Sequence, residues 1–147
     1  MILKEFCFEH FDLFEWREED RKTYNVNSQF MRAMANAEKN CFTLIHEGRI
    51  MVIGGIIPMS EKTAHCFTVW SMFSDNHRIS CARYVRRQFE SMAKAEGYHR
   101  ITTWNRAENK DYHKWCEFLG FKWEGLVRKF DDEGNDYFQY AWVKHGN

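Results

Sequence analysis

Chemistry in this sequence could come from its thiols, its imidazoles and the start of one long helical segment. Five cysteines, Cys7, Cys41, Cys66, Cys81 and Cys116, form no C-x-x-C pair and fall mostly inside apolar or helical patterns. That distribution suits reduced thiols packed as small hydrophobes in a cytosolic compartment. The seven histidines include no H-x-x-x-H pair and no Cys/His cluster at ligand spacing, so no metal site is expected. The segment His77-Arg78-Ile79-Ser80-Cys81-Ala82 opens the long helical pattern. A helix start is an anion site, and Arg78, His77 and the Ser80 hydroxyl would add charge-assisted contacts. The alternative is a capped helix start with a solvated arginine. His65 and Asp75 bracket the β-rich run before that helix; each is either a proton carrier or a structural filler.

These residues need elements to position them. Ile2 to Phe8 reads as a strand, and Phe11, Leu13, Phe14 and Trp16 as the apolar face of an amphipathic helix. A second helix is predicted from an Asn27 or Ser28 cap through Phe30, Met31, Met34 and Ala37 to about Asn40. Cys41 to His46 and Arg49 to Ile57 form a hairpin about Glu47-Gly48, with Gly54 and Gly55 marking a bulge or a close backbone approach. Ala64 to Phe73 is a strand leading through Ser74, Asp75 and Asn76 into a helix that ends at Gly97. Arg100 to Trp104 is a strand, and Ala107 to Leu119 a helix stopped by Gly120. Phe121 to Phe130 and Tyr137 to Val143 pair across Asp131 to Asp136. The order βααβββαβαββ implies an α/β fold whose mixed, largely antiparallel sheet holds one parallel β-α-β crossover.

Composition narrows the function. With 147 residues, one proline and no linker, the chain is expected to form one domain, residues 1 to 147. Lys plus Arg and Asp plus Glu both number 21, so there is no global basic field and no nucleic-acid partner is expected. No stretch reaches the length of a membrane span, and no export signal is visible, so a cytoplasmic location is expected.

The block Asn109-Lys110-Asp111-Tyr112-His113-Lys114-Trp115-Cys116-Glu117-Phe118-Leu119-Gly120-Phe121 resembles the asparagine-led helix closing on Leu-Gly-Phe of the GNAT acyltransferase superfamily, and the element order agrees with that fold. The resemblance implies acetyl-CoA as cofactor and an amine or protein acceptor. CoA would enter where the strand ending near Phe73 splays from Arg100 to Trp104. Asn109 would touch the CoA arm. Cys116 stands where the family's tyrosine protonates the leaving thiolate; it either donates that proton or packs against the sheet. The family's Arg/Gln-x-x-Gly-x-Gly/Ala loop falls on His77 to Ala82. Ala82 fits it, while His77 and Ser80 replace two signature residues. Cys81 and Arg78 complete that expected pyrophosphate cradle, and the Met72 and Phe73 amides would polarise the thioester carbonyl. The family often places a glutamate on the strand before this loop as base; no carboxylate lies between Cys66 and Phe73, so the base is unassigned, with His65 and Asp75 at the strand's ends able to act only through water.

Gly120 to Gly125, the Asp131-Asp132-Glu133-Gly134 turn and Tyr137-Phe138-Gln139-Tyr140 also resemble small GNAT-like proteins of short-tailed bacteriophages, some of them internal virion or assembly proteins. That likeness implies a non-catalytic rival: a scaffold or host-directed inhibitor binding a host or virion protein, located in the virion or host cytoplasm.

Overall fold

The computed structural model describes residues 1–21 and 40–144. The predicted helix over residues 28–40 falls almost wholly outside the described residues. Seven strands, β1 (Ile2–Glu5), β2 (Cys41–His46), β3 (Arg49–Pro58), β4 (Thr63–Trp70), β5 (Arg100–Arg106), β6 (Lys122–Val127) and β7 (Tyr137–Val143), build one sheet in the order β1-β2-β3-β4-β5-β7-β6. Helix α1 (Arg78–Glu96) joins β4 to β5, and α2 (Lys110–Phe118) joins β5 to β6. All neighbours are antiparallel except β4 and β5, which run parallel as the crossover demands. The mixed α/β class with one β-α-β step is therefore the observed architecture.

Periodicity explains the layering. In α1 the buried residues Cys81, Val85, Phe89 and Ala93 repeat every four positions, making one stripe along the helix. On β4, Ala64 and Cys66 meet Phe89 and Ala93 of α1 and Cys116 of α2, whereas Phe67 and Val69 meet Phe6, Phe14, Ile53 and Ile57 on the opposite face. Both helices thus cover one face and the N-terminal aromatics cover the other. Gly120, in the left-handed region at φ 91°, turns the chain out of α2, and the Phe121 amide donates to the Cys116 carbonyl at 3.0 Å.

Two expectations change, and a third resolves between its two readings. The segment predicted as an amphipathic α-helix around Phe11 to Trp16 begins as a 3-10 helix, Phe8–Leu13, followed by non-helical chain. Its aromatics interlock at the shorter spacing: Phe8 lies edge-on to Phe11 at 5.6 Å, and Trp16 stacks on Phe11 at 5.4 Å. Strand β4 stops at Trp70 instead of Phe73, because Ser74 donates its hydroxyl to the Ser71 carbonyl at 2.7 Å and winds Met72–His77 into a 3-10 turn. The register shift lies between Leu44 and Ile45, not at Gly54 and Gly55. Those glycines answer to close approach: a Cβ on Gly55 would sit 2.6 Å from Cys41 Sγ and 2.7 Å from the Asn40 carbonyl oxygen, and one on Gly54 2.9 Å from Phe42 Cζ.

Gly55→Ala is accordingly expected to destabilise the fold by about 1–3 kcal/mol, since backbone must give way. Gly54→Ala should cost less, because its nearest obstacle is a side-chain ring. Urea unfolding of the three proteins checks the order; an unchanged midpoint for Gly55→Ala would refute it.

Candidate active site

The parallel ladder between β4 and β5 holds only Thr63 to Arg100, Ala64 to Ile101 and His65 to Thr102. Past that point β4 stays with β3 as far as Trp70, and β5 stays with β7 as far as Arg106. The sheet therefore opens as a V, and each strand carries an edge unpaired by the other. Edges of that kind present backbone donors and acceptors to an extended ligand.

A cavity of about 190 Å³ lies at the V, lined by Arg17, Asp20, Trp70, Arg78, Ala82, Asn109, Tyr112 and Trp115 among others. It shares Glu19, Asn109 and Asp111 with a wider hollow of about 570 Å³ that Arg106 and Lys110 also line. At the floor the Thr68 hydroxyl oxygen accepts the Trp115 Nε1–H at 2.9 Å and the Trp70 Nε1–H at 3.3 Å. The same oxygen stands 3.1 Å from the Tyr112 hydroxyl. Burial, reinforced by the charge of Asp20, holds the Tyr112 phenol well above its ordinary pKa, so it stays protonated at neutral pH.

Asp20 is 7% exposed. Burial pushes its carboxyl up to about 6, against a smaller downward pull from Arg17. Arg17 itself pairs with Asp75, whose Oδ1 also receives Arg78 Nη2 at 3.3 Å. One carboxylate thus ties the segment carrying Asp20 to the first turn of α1.

The residues singled out in the sequence divide into two groups. Arg78, Ala82 and Asn109 meet at the cavity. Asn109 is the N-cap of α2, and its side chain makes no cap bond. His77 caps α1 and lies edge-on to His46 at 4.7 Å, and Ser80 is exposed in the first turn. Cys81 is fully buried against the core, its thiol raised to about 11 by burial. Phe73 lies under the Arg49 guanidinium at 4.3 Å. The Met72 amide, expected to face a thioester, donates to the Glu15 carbonyl at 3.0 Å. Cys116 is 2% exposed among Cys66, Phe89 and Leu119, with its thiol pushed up to about 12 by burial. Of its two readings, packing is the one its surroundings support. His65 is buried and stacked on Trp104 at 4.2 Å, and burial lowers its pKa to about 3, so it is neutral and poorly basic. Asp75 is occupied by its two arginines.

Sequence reasoning missed Trp70, Tyr112, Trp115 and Asp20. Tyr112 had a usable signal: it precedes Cys116 by four residues, one turn along the same helix face. Asp20 had none, lying among ordinary charged neighbours. Among the described residues no cluster of histidine, cysteine or carboxylate side chains is placed to hold a metal, and no helix is long and apolar enough to cross a membrane.

No protein-family model matches this chain, and no curated protein sequence matches it either. Solved structures do match. Ard1 from Thermoplasma volcanium superposes with a TM-score of 0.78 at 9% identity, over 97% of this chain and 96% of that one. A GNAT-family acetyltransferase from Bacillus anthracis gives 0.70 at 19% identity, over 96% and 93%. The ribosomal-protein-alanine N-acetyltransferase from Brucella melitensis gives 0.69 at 11% identity, over 97% and 99%. The fold is that of the GNAT acyltransferases.

The buried Asp20 carboxyl makes a prediction about stability. Its folded pKa lies above the ordinary 3.8, so between about pH 4 and pH 6 the folded chain keeps a proton that the unfolded chain has lost. Stability must fall as pH rises through that window. Asp20→Asn is expected to exceed wild type by roughly 2–3 kcal/mol at pH 7.5, with the gap closing by pH 4. Thermal melts across pH check this, and a variant less stable than wild type at pH 7.5 would overturn it.

Proposed function

We propose that this chain is an acyl-CoA-dependent N-acyltransferase of the GNAT type. One observation carries the proposal: β4 and β5 part after His65 and Thr102, and the cavity at the parting gathers Arg78 and Ala82 from α1 with Asn109 from α2. The starts of two helices separated in sequence by β5 converge there, at the place where the fold's topology changes direction. The structural neighbours named as acetyltransferases support the same reading.

Acyl-CoA would supply a thioester whose acyl carbon an amine attacks. The chain's own residues fit such a substrate. Arg78 offers a guanidinium to phosphate at the first turn of α1, where the helix dipole also favours anions. Ala82 keeps that turn narrow where it faces the cavity. The Asn109 amide, engaged in no cap bond, is available to an amide-bearing arm. The unpaired edge of β4 can align an extended chain. Ser80, in place of a glycine, keeps a side chain in the first turn, so more of the anion affinity falls to Arg78 than in a glycine loop.

Calorimetric titration with acetyl-CoA tests the reading. Wild type should bind saturably. Arg78→Ala should bind about tenfold to a hundredfold more weakly with unchanged melting, because the side chain is exposed and, among the described residues, makes only an exposed ion pair with Asp75. Ser80→Gly should bind more tightly than wild type. No heat at millimolar acetyl-CoA would favour the non-catalytic scaffold, of the kind the phage-like resemblance implies.

A further inference from the structure

Arg106, the last residue of β5, is a cation that the fold nearly buries and only loosely satisfies. Its side chain is 12% exposed. Burying a guanidinium is costly unless its charge is paired and its five N–H groups find acceptors. Among the described residues, Nε and Nη2 are buried without a hydrogen-bond partner. The buried Asp131 carboxylate stands 4.0 Å from Nη2, and its oxygens are committed elsewhere. Its Oδ1 accepts the Glu133 and Asn135 amides at 3.1 and 2.9 Å, and its Oδ2 accepts the Asn135 Nδ2–H at 2.8 Å and the Tyr137 hydroxyl at 3.1 Å. Tyr137, kept neutral by burial, brings Arg106 no counter-charge. The third nitrogen, Nη1, lies 3.5 Å from Oε1 of Glu108, whose side chain is 77% exposed. An ion pair to so exposed a partner is weak and readily exchanged for another carboxylate.

Arg106 and Glu108 both line the hollow of about 570 Å³, a volume within the range of small-molecule sites. The charges along it are sorted. The portal it shares with the cavity at the V carries the carboxylates of Glu19 and Asp111. The cations Arg106 and Lys110 line the hollow alone, beside Glu18 and Glu108. A ligand matched to both ends carries an ammonium toward the portal and an anion toward Arg106, and a guanidinium fork suits a carboxylate. We infer that the hollow is the acceptor subsite and that the acceptor is a small amino acid, its carboxylate on Arg106 and its amine at the portal. This rests on the acyltransferase reading above and names the acceptor that reading left open. In the transfer, the amine nitrogen bonds to the acyl carbon, and the carbon–sulfur bond breaks with its electron pair on sulfur. The proton that nitrogen loses is matched by the one sulfur gains, giving the N-acyl amino acid and free CoA. A peptide N-terminus would bring an amide where the carboxylate belongs, and a simple amine would bring nothing.

The experiment incubates the protein with acetyl-CoA and a panel of free amino acids, β-alanine among them, and follows free CoA by chromatography. For each amino acid consumed, the corresponding amide and decarboxylated amine are run beside it. Affinity for acetyl-CoA is measured separately by calorimetry. Wild type should use at least one free amino acid with kcat/KM at least about tenfold above that of its amide. The amide's amine is the less basic and is more fully unprotonated at neutral pH, so a preference for the acid reports recognition of the carboxylate. Arg106→Gln should raise KM for that amino acid by about tenfold to a hundredfold and abolish the preference, with kcat changed less and acetyl-CoA affinity within about threefold of wild type. Arg106→Lys should recover part of the loss, because the charge remains without the fork. Lys110→Gln, at an exposed position, should raise the same KM severalfold, and it keeps the test open if removing Arg106 from beside Asp131 unfolds the chain. Equal use of acid and amide, or use of no amino acid, overturns the subsite, while acetyl-CoA binding leaves the cofactor reading standing. An Arg106→Gln protein that loses acetyl-CoA affinity and keeps its acceptor KM overturns it too, assigning the guanidinium to a CoA phosphate. Absence of acetyl-CoA binding removes the acyltransferase reading and the acceptor with it.

Discussion

The parting of β4 from β5 after three residue pairs is the constraint on which the rest of the site depends. A parallel ladder continued to Trp70 and Arg106 would close the sheet and leave no cavity. What prevents closure is the crossover and its sequel. Helix α2 returns over the same face and places Trp115 and Tyr112 on Thr68, a β4 residue beyond the last pair. Two indoles and a phenol occupy the mouth of the V. Their ring bulk wedges it, with Trp70 edge-on to Trp115 at 4.7 Å, and their polar tips satisfy one another.

Burying polar groups without partners is costly, and four buried polar groups near the V meet that cost in different ways. Thr68, 4% exposed, gains two donors and so carries little penalty. The thiols of Cys66 and Cys116 stay protonated in the apolar layer under α1 and α2, and behave there as small hydrophobes. Among the described residues, Asp20 is the one of these whose burial is only partly offset, by the charge of Arg17. A position where the fold gives up stability while the side chain faces a cavity is where function is the better explanation. Cys116 shows the converse: a residue with reactive chemistry in principle, rendered inert by a well-packed environment.

How much of this was legible in the sequence depends on the range of the deciding interactions. The hairpin about Glu47-Gly48, the α1 stripe, the Gly120 stop and the bounds of β7 are local or periodic, and each could be read directly. So could the parallel crossover, because a strand, a helix and a strand leave few alternatives. The 3-10 turns could not. Phe8–Leu13 depends on rings packing under the sheet, and Met72–His77 depends on one hydroxyl returning to Ser71. At the site, Arg78, Ala82 and Asn109 were reached by resemblance to a loop and a helix cap. The resemblance carried the proton-donor role to Cys116, whose burial is a matter of long-range packing that spacing does not show. Nothing in spacing could place Asp20, whose burial comes from elements far along the chain.

The substitutions in the α1 loop acquire a physical sense once Asp75 is considered. A glycine loop holds anions with bare amides, and its shape alone suffices. Here the turn before α1 is wound into 3-10 helix, and the Met72 amide is already donated to Glu15. An anion held there would need charge where shape is lacking, and Arg78 carries that charge in the first turn of α1. Its partner Asp75 is shared with Arg17, three residues before Asp20. The Glu15 carbonyl and the Arg17 guanidinium therefore fasten the N-terminal segment to the loop at two points. Arg78 and the buried Asp20 carboxyl are therefore tied into one mechanical unit. A change in this loop is consequently also a change in what positions Asp20, so the loop and the buried carboxyl are constrained to vary together.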